Sequence, residues 1–182
     1  MDKTNMDKIL ISIPLILGFF GVIQINAQTP CTPVDVTVLE VNYVGWAGGK
    51  MHYTNLGNLG MSYWDAIEFC LCHGMEPTLI KGPDVDVMLY NFLQRLSGNS
   101  TYNTRPFWLS LNDNDREGTF RWYQNSTLLQ GYTNWAPNSP VIDPQGGPHV
   151  NCVSDQQYTG RQTCVWINVP CDTTCWRPLC QR

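Results

Sequence analysis

The cysteines are the residues of this chain with the greatest potential for chemistry, and their number, eight, is even. Two groups could supply zinc ligands: Cys70 and Cys72 beside His73, and residues 171–175 (CDTTC). The spacing of these groups matches no common zinc site. An even number of cysteines in a secretory chain predicts a disulfide framework instead, although the residues alone do not fix the pairing.

The histidines give no sign of catalysis. His52, His73 and His149 stand in no recognisable catalytic spacing. The chain also has no nucleophile-elbow motif around a serine, no metalloprotease helix motif and no phosphate-binding glycine loop. We therefore expect that the protein is not an enzyme.

Residues 1–27 have the layout of a secretory signal peptide. Lys3 and Lys8 lie in a charged start, an apolar run covers 9–25, and Ala27 supplies a small residue at the expected cleavage point. An uncleaved membrane anchor is the alternative, because the apolar run is close to the length that spans a bilayer. We expect cleavage after Ala27 or one residue later, and therefore a secreted, extracellular protein without a membrane span.

The chain after the signal peptide has a suitable length for one domain with a single core. We divide it into an amino-terminal arm, 28–44, and one domain, 45–182. Within the arm, the β-prone run 34–44 predicts a strand or an extended segment. Residues 45–49 are expected to form a loop.

The charge pattern excludes some classes of partner. The formal net charge is −4, and the basic residues are scattered among the acidic ones. No basic patch could follow a phosphate backbone, so we do not expect nucleic acid as a partner. No basic amphipathic helix suggests binding to a membrane surface.

Two motifs predict N-linked glycans. Asn99 and Asn125 each begin an Asn-Ser-Thr sequence, which is the acceptor pattern for this modification. Both motifs fit an extracellular glycoprotein.

Alternating apolar residues predict a buried strand at 107–111 (FWLSL). A polar turn, 112–118, follows the strand and contains side chains that can hydrogen-bond locally. A second apolar and aromatic run, 119–123, lies at hairpin distance from the first. The three segments together predict a strand, a loop with carboxylates and an aromatic strand.

Two helices precede these strands. Ser62 is a natural N-cap for the first helix, with Asp65 three residues later, and Gly74 is placed to end it. The second helix is expected at 84–96, capped by Asp84. Its apolar face consists of Val85, Met88, Leu89, Phe92, Leu93 and Leu96. Two helices followed by strands predict the α+β class.

Several of these segments resemble the motifs of C-type lectin-like domains. Residues 107–111 resemble the tryptophan-led strand of that family, and residues 117–122 (EGTFRW) resemble the segment that follows it. Further landmarks occur in the family's order at Asn134-Trp135, Asn151-Cys152-Val153, Trp166-Ile167-Asn168-Val169-Pro170-Cys171 and Pro178-Leu179-Cys180. The resemblance covers about 53–180. It implies two helices on a double-looped antiparallel sheet, with the chain ends in one small sheet and a long loop at the far end.

The resemblance also implies two disulfide bridges, Cys70–Cys180 and Cys152–Cys171. The first would close the domain, and the second would fasten the base of the long loop. The other cysteines have no place in the basic family pattern, and the pairings we consider for them are Cys164–Cys175 and Cys31–Cys72.

Members of this family that bind sugar use a calcium ion, held by a loop motif in which a proline lies between two acidic or amide residues. Two registers of this motif are possible here, 136–138 (APN) and 139–141 (SPV). Counted from Trp135, the register 139–141 lies at the better distance. Both registers lack the first acidic or amide ligand, and the register 139–141 also lacks the second one.

The remaining calcium positions have lost their carboxylates. Val150 stands where the family has an acidic residue, and Ile167 and Asn168 stand where it has an amide and a carboxylate. Only Ser139 and Asn168 offer side-chain oxygens, and both are neutral, whereas calcium needs six to eight oxygens. We therefore expect no calcium and no other cofactor, with Asp143 as the one carboxylate in the loop that could rebuild a site.

Asp113 and Glu117 match an auxiliary calcium position of some family members. Their usual partners in the long loop are missing, so a solvated polar turn is the preferred interpretation. Four tryptophans at family positions are expected to be structural and not to stack on sugars: Trp108, Trp122, Trp135 and Trp166.

The resemblance implies a secreted recognition module that binds a carbohydrate or a protein. The expected ligand site is the long-loop end, 135–151, with residues 164–168 beside it. Its candidate contacts are Ser139, Val141, Asp143, His149 and Asn168. Two alternatives stay open, a calcium-dependent lectin with a site rebuilt around Asp143 and a domain for protein recognition alone.

Overall fold

Two helices and two four-stranded antiparallel sheets form the fold in the described part of the chain. The computed structural model describes residues 41–55, 60–97, 105–142, 150–158, 160–173 and 176–182. In chain order the elements are β1 (Val41–Ala47), β2 (Lys50–Asn55), α1 (Tyr63–Cys72), β3 (Glu76–Pro77), α2 (Pro83–Ser97), β4 (Phe107–Asn112), β5 (Arg121–Trp122), β6 (Cys152–Gln157), β7 (Cys164–Val169) and β8 (Cys180–Gln181). The predicted signal peptide and most of the predicted arm lie outside the described residues. The mixture of helices and antiparallel sheets confirms the α+β class.

The first sheet brings the two ends of the described chain together, as expected. Its strands follow the order β1-β2-β8-β3. The predicted loop at 45–49 is wrong, because β1 extends through most of it and only Gly48 and Gly49 form the turn to β2. The φ angles of these glycines are +57° and +75°, a conformation that other residues rarely adopt. A turn of two residues is therefore sufficient here.

The second sheet carries the residues that lead into the long loop. Its strands follow the order β5-β4-β6-β7. The predicted strand at 107–111 is present as β4. The predicted run at 119–123 forms a strand only at β5, because the N–H of Thr119 still closes the preceding turn by donating to the carbonyl of Arg116 at 2.9 Å.

The first helix begins and ends where the sequence predicts. The backbone N–H of Asp65 donates to Ser62 Oγ at 3.2 Å, and the N–H of Ser62 donates to Asp65 Oδ2 at 3.4 Å. This reciprocal pair satisfies two N–H groups that the first turn cannot pair internally. Gly74, with φ +63°, follows the last turn.

The second helix supplies much of the main core. It begins at Pro83, one residue before the predicted start, and ends one residue after the predicted end. Asp84 does not cap it but lies in the first turn, where its carboxylate accepts a hydrogen bond from the N–H of Gly48. Neither helix in the described ranges has the length and apolar composition of a membrane span. The predicted apolar face packs into the core, where Val85, Leu89, Phe92 and Leu93 are buried.

The four tryptophans expected to be structural pack in the two larger core clusters. Trp122 and Trp166 are buried in the cluster beneath α2, and Trp135 is partly buried against it. Trp108 is buried with α1 residues in the second cluster, where its indole N–H donates to the carbonyl of Met61 at 2.8 Å. These side chains therefore build the scaffold that positions the long loop.

Candidate functional site

The long loop leaves the domain beside β7. The N–H of Ala136 donates to the carbonyl of Trp166, and the N–H of Trp166 donates to the carbonyl of Asn134, each at 2.8 Å. This pairing carries the chain to Ser139 and Pro140, whose shared peptide bond is cis. The cis proline is the one in the register that the sequence analysis preferred.

Asn168, on β7, links the two arms of the long loop through its side-chain amide. Its Oδ1 accepts a hydrogen bond from the N–H of Val141 at 2.7 Å. Its Nδ2 donates to the carbonyl of Val141 on the outgoing arm and to the carbonyl of Val150 on the returning arm, each at 2.7 Å. Asn168 is only 5% exposed. Both amide hydrogens and the amide oxygen are therefore engaged with the backbone of the loop.

The residues of the primary calcium position do not fit a calcium ion. The matched positions are Ser139, Val141, Val150, Ile167 and Asn168, and none of them has a carboxylate. The amide oxygen of Asn168 faces a backbone N–H, and its amide nitrogen repels a cation. No group of three or more His, Cys, Asp or Glu side chains could hold a metal among the described residues. Asp143 and His149 lie outside those residues.

Asp113, the auxiliary candidate, closes its own turn. Its Oδ2 accepts a hydrogen bond from the N–H of Gly118 at 2.7 Å, and its backbone N–H donates to the carbonyl of Asn151 at 3.0 Å. Asp113 is buried. Burial raises the pKa of its carboxyl group to about 6, and the charge of Glu117 acts in the same direction, against the hydrogen bond from Gly118. The prediction of a solvated turn is therefore wrong for Asp113, whose Oδ2 closes the turn from a buried position.

The long loop places an apolar side chain against that turn. The Cδ1 atom of Ile142 lies 3.4 Å from the position that a Cβ atom on Gly118 would occupy. Ile142 and its neighbour Val141 are about half exposed, 47% and 50%. The described part of the loop therefore offers aliphatic surface where a calcium site would need oxygen ligands.

A buried carboxylate that the sequence analysis missed holds the base of the loop. Asp86 Oδ2 accepts hydrogen bonds from Tyr132 Oη at 2.6 Å and from Asn134 Nδ2 at 3.1 Å. Its Oδ1 accepts one from Trp166 Nε1 at 3.0 Å. Burial raises the pKa of Asp86 to about 6, and the three hydrogen bonds oppose that shift. A signal was present in the sequence, because Asp86 lies three residues before Leu89 on the apolar side of α2.

Comparison with known proteins shows the family to which the chain belongs. Residues 60–181 match the model of the lectin C-type domain, which is more than half of the chain. The chain belongs to the C-type lectin domain family. A C-type lectin of Aedes aegypti, mosGCTL-7, is 29% identical over 116 residues, which cover 63% of this chain and 72% of that protein.

Solved structures with low sequence identity share the C-type lectin fold. The human scavenger receptor C-type lectin carbohydrate-recognition domain has a TM-score of 0.58 at 18% identity, covering 77% of this chain and 95% of that one. Human lithostathine has a TM-score of 0.57 at 18% identity, covering 78% and 95%. A calcium-dependent type II antifreeze protein in its calcium-free form has a TM-score of 0.56 at 18% identity, covering 77% and 96%.

Both disulfides implied by the C-type lectin resemblance are present. Cys70 in α1 is bonded to Cys180 in β8, with the Cα atoms 5.4 Å apart. Cys152 is bonded to Cys171, with the Cα atoms 5.0 Å apart, where the returning arm of the loop enters β6. Cys72 is also disulfide-bonded, and its predicted partner, Cys31, lies outside the described residues.

The pairing Cys164–Cys175 is wrong. Cys164 is a free thiol, buried at the start of β7 in the main core, where it faces the carboxyl group of Asp155. Burial and the neighbouring Asp155 raise the pKa of this thiol. Cys175, its predicted partner, lies outside the described residues.

Proposed function

We propose that this C-type lectin domain is an extracellular recognition module that binds a carbohydrate or a protein at the long-loop end without calcium. The observation that carries the proposal is the engagement of the Asn168 amide with both arms of the loop. The extracellular part of the proposal rests on the signal-peptide layout of residues 1–27. No catalytic step is part of the proposed function.

The amide of Asn168 supplies the positive hydrogens that a cation would otherwise have to replace between two carbonyl oxygens. Backbone carbonyl oxygens that converge on one point need a positive group between them, either a metal ion or N–H hydrogens. Here Nδ2 supplies hydrogens to the carbonyls of Val141 and Val150. The two arms are therefore held together at a distance that requires no ion.

The exposed surface beside this point favours a protein as the ligand. Val141 and Ile142 present adjacent aliphatic side chains at the end of the domain. Apolar side chains at the centre of a contact contribute to protein recognition by excluding water, whereas sugar hydroxyls need polar partners. Polar partners for the hydroxyl groups of a glycan would have to come from other groups of the loop.

Thermal unfolding with calcium and with a chelator tests the calcium-free part of the proposal. A ligand that binds only the folded state raises Tm, by mass action. We expect the same Tm in millimolar calcium and in excess chelator, and a known calcium-binding lectin domain serves as the positive control. A calcium-dependent rise in Tm would overturn the proposal and support a site rebuilt around Asp143.

A glycan array, run with calcium and with chelator, separates the two classes of ligand. Equal binding in both conditions indicates a glycan ligand bound without calcium. No binding in either condition, with the folded state verified by Tm, indicates a protein ligand. Binding that the chelator abolishes contradicts the proposal.

A further inference from the structure

The turn after β5 presents one of the predicted glycan acceptors in a defined conformation. The N–H of Trp122 donates to the carbonyl of Thr127 at 2.9 Å and closes the turn. Within it, Asn125 Oδ1 accepts hydrogen bonds from the N–H of Thr127 at 3.1 Å and from its hydroxyl at 2.7 Å. These bonds use the carbonyl oxygen of the Asn125 side chain and not Nδ2, the atom to which an N-linked glycan is attached. Asn125 is exposed.

An exposed tyrosine stands two residues before the acceptor. Gln124, between them, is held inward: its Oε1 accepts a hydrogen bond from Ser110 Oγ at 3.0 Å, and its Nε2 donates to the carbonyl of Pro77. The side chains on either side of it, Tyr123 and Asn125, are exposed. The turn therefore displays an aromatic ring and the acceptor amide close together at the surface.

A second aromatic residue holds the tyrosine ring. The ring of Trp64 in α1 lies 6.4 Å from that of Tyr123, centroid to centroid, at an angle of 65°. Trp64 packs in turn on the buried ring of Tyr63 at 5.0 Å and 87°. Tyr123 and Trp64 are still 38% and 49% exposed. These two edge contacts connect the buried ring of Tyr63 through Trp64 to Tyr123. They hold the tyrosine ring in place and leave part of the ring surface exposed.

We propose that Asn125 carries an N-linked glycan whose first N-acetylglucosamine packs on the ring of Tyr123, with Trp64 as the support of that ring. One face of a pyranose carries C–H groups, which are attracted to the negative face of an aromatic ring. The covalent bond to Asn125 keeps the sugar at high effective concentration beside Tyr123, so the contact forms without the entropy loss of free association. The glycan thus stabilises the fold, a role separate from recognition at the long loop.

The test uses the full chain secreted from eukaryotic cells, with the variants Asn125→Gln, Tyr123→Ala and their combination. Intact-mass measurement should show one glycan fewer in Asn125→Gln. Its loss should lower Tm by about 3 °C when Tyr123 is present, and by less than about 1 °C in the Tyr123→Ala background. Asn99→Gln, which removes the other acceptor, is the matched control, and its effect on Tm should be the same in both backgrounds.

An enzymatic series on the Asn99→Gln chain tests the first sugar on Asn125 without the tyrosine variant. An endoglycosidase that leaves one N-acetylglucosamine on Asn125 should preserve Tm, and an amidase that removes every sugar and leaves an aspartate at that position should lower it. An unmodified Asn125 in the secreted chain would overturn the proposal. Equal Tm values for the two enzymatic products would also overturn it, as would equal effects of Asn125→Gln in both backgrounds.

Discussion

Replacement of Asn168 by aspartate tests whether one amide holds the long loop. The variant keeps the shape of the side chain and an acceptor for the N–H of Val141. It exchanges the NH₂ group, which donates to the carbonyls of Val141 and Val150, for a second oxygen. That oxygen faces two carbonyl oxygens across distances of hydrogen-bond length, so attraction is replaced by repulsion.

The magnitude follows from two lost hydrogen bonds and one buried charge. Each hydrogen bond contributes about 1 kcal/mol, and solvent cannot replace either at a side chain that is 5% exposed. A carboxylate left with a single donor adds a cost of about 1–3 kcal/mol. We expect Asn168→Asp to lower the free energy of unfolding by about 3–5 kcal/mol at neutral pH, and Tm by roughly 10 °C.

The same variant should show a diagnostic dependence on pH. Burial and the two facing carbonyl oxygens raise the pKa of the introduced carboxyl group in the folded state. An acid whose folded pKa lies above its unfolded value costs stability as the pH rises through the folded pKa. The difference in Tm between variant and wild type should therefore shrink on acidification, because the protonated carboxyl donates to one of the carbonyls.

Thermal unfolding by circular dichroism at about pH 7.5 and pH 4.5 measures both effects. Asn138→Asp is the matched control, because it introduces the same charge at an exposed asparagine in the outgoing arm of the same loop. The control should change stability by no more than about 0.5 kcal/mol. A variant of Asn168 that is as stable as the wild type at neutral pH would refute the role assigned to the amide.

Two further predictions concern buried carboxylates. Asp86→Ala leaves three donors without their acceptor and should lower the free energy of unfolding by about 3 kcal/mol or more, and an unchanged urea midpoint would contradict this. Burial raises the pKa of Asp155 to about 7, so the stability associated with its protonated form is lost as the pH rises from about 4 to about 7. Asp155→Asn should flatten the dependence of Tm on pH across this range, and a slope equal to that of the wild type would refute the assignment.

The sequence predicted the features that depend on neighbouring residues. Ser62 and Asp65 lie three residues apart, and the capping box they form needs only the first turn of the helix. The alternation at 107–111 likewise predicts β4, because period two places one set of side chains on one face of a strand. Family resemblance added the two disulfides and the preferred register of the loop motif, 139–141, which no local pattern contains.

The sequence could not predict contacts between distant segments. Asp86 reaches Tyr132 and Trp166 across 46 and 80 residues, and only the packing of α2 against β7 brings them together. The family resemblance singled out Asn168 as a neutral residue at a position where the family has a calcium ligand. Its partners, 27 and 18 residues away, depend on the path of the loop, so the use of the amide as a brace became visible only in three dimensions.

Strand β7 supplies side chains that hold the long loop at its base and between its two arms. Trp166 donates to Asp86, which also binds Tyr132 and Asn134 at the base of the loop, and Asn168, two residues further on, joins the two arms. A loop organised by calcium loses its form when a chelator removes the ion or when acid protonates the ligands. Here the bracing groups are an amide, which does not titrate, and Asp86, whose protonated form still accepts a hydrogen bond. We therefore expect the ligand surface to persist in chelator and in mild acid, conditions under which a calcium-dependent surface is lost.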